Sequence, residues 1–100
     1  MEPNELANQI LEDIYAAVLK VYPEAEKENS RIIINHGEDS DARIWINTWN
    51  GMTLSYNFDS YEYPRLQILI QKMLRRKYKI FLVLDSVFCH TGYTNYVFEL

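Results

Sequence analysis

Cys89 is the only cysteine in the 100-residue chain, so no intrachain disulfide can form. Small secreted domains make up for thin cores with several such bridges, and this chain is not built that way. Glycine is scarce: Gly37, Gly51 and Gly92 cannot make a glycine-rich loop that cradles phosphate. There is no nucleophile elbow, no metalloprotease helix signature and no cysteine pair. The longest purely apolar run, Ile80 to Leu84, is far short of the ~20 residues that span a membrane. The opening residues carry Glu2 and Glu5 and lack a basic, then apolar, leader pattern. The expected compartment is therefore the cytoplasm, bacterial or host, with no membrane partner.

What is present is apolar and aromatic. The hydrophobic fraction is 48%, enough for one core, and the length fits a single domain over residues 1–100. Aromatic residues make up 14% of the chain, with eight tyrosines among them. Charge is uneven. Met1 to Ser60 holds eleven acids and four bases, a net of −7, while Tyr61 to Leu100 holds three acids and six bases, a net of +3. An acidic majority disfavours non-specific nucleic-acid binding and suits a basic partner, since complementary potentials speed encounter.

Periodicity predicts a first helix from about Asn4 to Tyr22, with Leu6, Ile10, Ile14, Val18 and Val21 on one face and Leu11 beside them. Pro23 ends it, and Glu24 to Ser30 reads as a charged connector. Arg31 to His36 reads as a strand because Ile32, Ile33 and Ile34 are β-branched. Gly37 to Asp41 reads as an acidic turn. Arg43 to Trp49 and Met52 to Phe58 form a hairpin about Asn50-Gly51. A second helix runs from Pro64 to about Lys77, with Leu66, Leu69, Ile70 and Met73 as its buried stripe and Leu74 next to it. Ile80 to Cys89 is a strand with little alternation, expected in the centre of the sheet. Tyr93 to Leu100 is the last strand. The expected fold is α+β, a two-layer sandwich of a mainly antiparallel sheet with two helices on one face, in the order α-β-β-β-α-β-β.

The hairpin admits two registers. A two-residue loop pairs Trp49 with Met52 and gathers Trp45, Trp49, Leu54, Tyr56 and Phe58 on one face. A three-residue loop pairs Thr48 with Met52. It gathers Ile44, Ile46, Met52, Leu54, Tyr56 and Phe58 on one face and leaves Arg43, Trp45, Asn47, Trp49, Thr53, Ser55 and Asn57 on the other. A one-residue slip exchanges a strand's two faces. The second register is favoured because its apolar side is cleaner.

Candidate sites divide by chemistry. Cys89 and His90 are strand neighbours that point to opposite faces, so they cannot form a thiolate–imidazole pair. The loop from His36 through Glu38, Asp39 and Asp41 lacks the spacing of a calcium loop or a zinc pair, so no metal is expected. Lys72, Arg75, Arg76, Lys77 and Lys79 gather at the end of the second helix, where cations complement the dipole. The α-β-β-β-α order is also that of double-stranded-RNA-binding domains, but their basic helix-start motif has no counterpart in this chain.

These features lead to a non-enzymatic protein-binding module without cofactor. Trp45, Trp49, Asn47, Tyr61 and Tyr63 are the expected contact residues, with Glu38, Asp39 and Asp41 facing a basic partner. Size and charge are those of stoichiometric inhibitors such as toxin-immunity proteins and phage anti-defence proteins, anti-CRISPR proteins among them. A homodimer is a further expected form. The alternatives are a nucleic-acid-associated module using the basic helix end, or a small enzyme or metal protein centred on His36 and the acidic loop.

Overall fold

The structure, a computed structural model, describes residues 3–35, 41–48, 53–57, 64–88 and 93–99. Helix α1 spans Pro3–Val21, with Glu5 in its first turn and Lys20 in its last, both matched to the dipole. Ala7, Ile10, Leu11, Ile14 and Val18 are its buried residues. Val21, expected on that face, is 38% exposed because the helix has by then passed the end of the core. The Tyr22 amide closes on the Val18 carbonyl (2.7 Å), after which Pro23 has no N–H to donate.

The supposed connector then makes a strand, β1 (Glu26–Glu28), which turns directly into β2 (Arg31–Asn35). Glu28 pairs with Arg31, leaving only Asn29 and Ser30 in the turn, with φ of 50° and 62°. Two consecutive left-handed residues make the tight turn whose twist matches that of the flanking strands. The sequence order expected above therefore gains one strand. Its signal was weak because Glu-Lys-Glu has little strand propensity, and pairing alone makes it a strand.

β3 (Asp41–Asn47) and β4 (Thr53–Asn57) form the central hairpin. Ile44 pairs with Tyr56, Trp45 with Ser55 and Ile46 with Leu54, which is the register of the three-residue loop. The turn itself, with Trp49 to Met52, lies outside the described residues. Asp41, expected in an acidic turn, instead opens β3 opposite Asn35.

Helix α2 (Pro64–Tyr78) crosses over to β5 (Phe81–Phe88), and β6 (Tyr93–Glu99) returns between β4 and β5. The sheet order is β1-β2-β3-β4-β6-β5, antiparallel throughout its neighbouring pairs. β4 and β5 thus run in the same direction with β6 between them, which is why a helix rather than a tight turn connects them. This overturns the expectation that residues 80–89 form a central strand: β5 is an edge, paired with β6 alone among the described residues. An apolar run without alternation does not distinguish the two positions. β5 also carries a register irregularity between Leu84 and Ser86, a device that disrupts an edge ladder.

One core cluster joins Ile10, Leu11, Ile14 and Val18 of α1, Leu66, Ile70 and Leu74 of α2, and Ile32, Ile34, Ala42, Ile44, Leu54 and Tyr56 of the sheet. Every strand residue in it is even-numbered, so a single side of β2–β4 meets both helices. Leu69 and Met73, expected in the buried stripe of α2, are half-buried, and the stripe is centred on Leu66, Ile70 and Leu74. The side chains of β5 beyond Phe81 lie outside what is described. The helices run antiparallel and are clasped where Asp13 of α1 accepts a hydrogen bond from Tyr78 and an ion pair from Lys77 (3.1 Å). The Tyr78 bond, reinforced by Lys77, outweighs partial burial and holds the Asp13 carboxyl below the usual range. Burial, with the adjacent carboxylate, pushes the Tyr78 phenol up to about 12. Two further ties hold α1 against β1 and the residue before it: Tyr15 donates to the Ala25 carbonyl (3.1 Å), and Lys27 pairs with Glu12.

Candidate interaction surface

The sheet's other side is built by the alternate residues. Trp45 stands between Arg31 on β2 and Ser55 on β4 as their direct register partner. Arg31 and Asn47 are exposed; Ile33, Arg43, Trp45 and Thr53 are half-buried. The Arg31 guanidinium lies 5.4 Å from the centroid of the Trp45 ring, a cation–π stack across the two strands. Asn47 donates from Nδ2 to Ser55 Oγ (3.3 Å), across the β3–β4 ladder. Ser55 is only 1% exposed, so its neighbours shelter it even though no helix residue of the core cluster lies on this side. β1 adds acids at the rim: Glu28 is the partner of Arg31 and Glu26 that of Ile33, and both glutamates are exposed.

The surface is therefore aromatic at its centre and mixed in charge around it. A tryptophan held by a guanidinium presents a rigid ring at the surface, a geometry that suits packing against another protein. A duplex or single strand would demand cations of one sign along the groove. Here each row that brings in an arginine or an isoleucine from β2 also brings in a glutamate from β1.

Of the expected contact residues, the structure places Trp45 and Asn47 on this face. Asp41 belongs to β3 and not to a loop. Trp49, Glu38, Asp39, Tyr61 and Tyr63 lie outside the described residues, as do His36, Cys89 and His90. Arg43 was expected on this face but not as a contact residue, and Arg31 and Ile33 were missed. Strand alternation alone would have put them on the Trp45 side once the β2–β3 register was known, but two separate strands give no register signal of the Asn-Gly kind.

Among the described residues, no group of three or more His, Cys, Asp or Glu side chains could hold a metal ion. No described helix is long and apolar enough to cross a membrane. No known family, curated protein or solved structure matches this chain.

Proposed function

We propose that this chain is a non-enzymatic protein-binding module of the cytoplasm, a stoichiometric inhibitor or antagonist that grips its target through the open face of the sheet. The observation that supports this most is the Arg31–Trp45 stack on the side of β3 away from the helix-packed core. A large ring kept near solvent and clamped in one orientation loses little conformational freedom on binding, which is the property of an interface anchor. Glu26 and Glu28 make the rim of mixed sign and favour a protein over a polyanion. The acidic stretch with Glu38, Asp39 and Asp41 steers a basic patch on the partner. A second copy of this chain is one such partner, and light scattering separates that case from a heterologous complex.

The test is comparative capture from the native host. Tagged wild-type chain should retain one protein in a fixed ratio, identified by mass spectrometry, and Trp45→Ala and Arg31→Ala should release it while melting like folded domains. Capture indifferent to both changes would remove the open face from the reading. Retention of nucleic acid in place of protein would replace the reading altogether.

A further inference from the structure

Helix α2 carries Arg65, Lys72, Arg75, Arg76 and Lys77 and no acid. Arg75, Arg76 and Lys77 lie in its last turn, where the dipole welcomes them. That account fails for Arg65, which sits in the first turn where the dipole opposes a cation, and for Lys72 in the middle. Arg65, Lys72 and Arg76 instead border one groove between the helices, with Lys20 of α1 also on its rim. The floor is apolar: Ala17 and Val21 from α1, Leu69 and Met73 from α2. Two hollows of about 330 and 230 Å³ make up the groove and meet at Leu69 and Lys72. Ile68 stands at the lip, 55% exposed.

Among the described residues no carboxylate pairs with Lys20, Arg65, Lys72 or Arg76. Asp13, the acid that α1 turns towards α2, is taken up by Tyr78 and Lys77. Along α2 the rim runs from Arg65 to Arg76, about 17 Å or three turns at 1.5 Å per residue.

We propose that this groove docks an acidic amphipathic helix of another protein, on the opposite side of the molecule from Trp45 and independently of it. Apolar residues of that helix at i, i+3 or i+4 and i+7 fill the floor over Leu69 and Met73, and its flanking Asp and Glu meet the four cations. Both halves of the surface are then used. Phosphates would engage the cations but leave the apolar floor idle. An anionic membrane takes up protruding apolar side chains, whereas most of these are recessed between two helices.

The experiment is a selection. Displayed peptides of about three helical turns, with a fixed apolar stripe and flanks drawn from Asp, Glu, Lys, Arg, Ser and Ala, are panned against the full chain. Selection should enrich Asp and Glu at the flanks. The best synthetic peptide should lose roughly tenfold or more in affinity against Ile68→Asp, and likewise against Lys72→Glu with Arg76→Glu, but not against Trp45→Ala. Ile68, Lys72 and Arg76 are exposed, and unchanged circular dichroism and melting keep a folding defect from imitating the loss. Flanks that come out basic or neutral, or peptides indifferent to the charge reversals, would overturn the proposal. So would a DNA or RNA duplex, or phosphatidylserine vesicles, bound at physiological salt in place of the peptides and released by the same variants.

Discussion

The two sides of the sheet are made by the same strands with opposite chemistry. On the covered side Ile32, Ile34, Ile44 and Leu54 are wholly buried under both helices. One residue along, Arg31, Ile33, Arg43 and Trp45 keep contact with solvent. Burying an aliphatic side chain contributes about 1.5–3 kcal/mol, whereas an exposed cation–π stack contributes about 0.5–1 kcal/mol. The covered side therefore sets stability, and the other side, the proposed contact face, contributes less to it. Ile44→Ala is the hardest test of that division. It should cost about 2–5 kcal/mol and unfold much of the protein at ambient temperature, as read by denaturant titration. A loss below about 1 kcal/mol would mean that the even-numbered residues do not carry the core.

Trp45→Ala is the converse. Its stability cost should stay near the ~1 kcal/mol of the lost stack, while binding to the captured partner should weaken by on the order of 2 kcal/mol. Isothermal titration and a thermal melt on one preparation give both numbers. A variant that unfolds but binds normally when folded would show that Trp45 is a structural lid over Ser55 and not a contact residue.

Much of this division was legible in the sequence, for a reason that can be located. Ile44, Ile46, Leu54 and Tyr56 alternate cleanly about Asn50-Gly51, so one register made a cleaner apolar face than the other. Trp45 followed from that choice. The Arg31 stack did not, because it depends on which strand lies beside β3, and local pattern carries no such information. Residues 80–89 misled for a related reason. β6 comes last in the chain but inserts between β4 and β5, and neither strand's composition records the insertion. Leu69 and Met73 misled more quietly: both are apolar and at helical spacing, yet they line an open groove while Leu66, Ile70 and Leu74 take the core.

The helix clasp sharpens the comparison by pH. Tyr78 holds its proton to about pH 12 in the folded state, above the 10.0 of a free phenol. Its contribution is therefore whole below pH 10 and is lost as pH rises from there through 12. Asp13 is depressed, so its share is present above the ordinary carboxylate range and is lost as pH falls through the lowered value. Tyr78→Phe should cost about 1–1.5 kcal/mol at neutral pH, a half-buried hydrogen bond. It should also flatten the alkaline loss relative to wild type, a difference in which the other titrating groups cancel. The same fall between pH 10 and 12 in both proteins would assign the alkaline sensitivity elsewhere. Partner binding by the open face should be unchanged in the variant at pH 7.

The smallest expected effect is a gain. Lys79 joins α2 to the edge strand with φ of 55°, in the left-handed region that costs a non-glycine residue about 1–2 kcal/mol. The position is needed because the Lys79 amide returns to the Arg75 carbonyl (3.2 Å) and that of Ile80 to Leu74 (3.2 Å), satisfying carbonyls left open at the helix end. Glycine adopts that φ without the Cβ clash but gains freedom in the unfolded chain, which returns part of the benefit. Lys79→Gly should then stabilise by about 0.5–1 kcal/mol, whereas Lys79→Ala keeps the Cβ and should stay within a few tenths of wild type. The side chain is exposed and belongs to neither side of the sheet, so the gain should appear in the melting temperature while affinity at the open face and in the groove stays fixed. If glycine instead lowers the Tm and alanine does not, the left-handed cap is absent in solution, and the path by which α2 delivers β5 to the sheet edge must be redrawn.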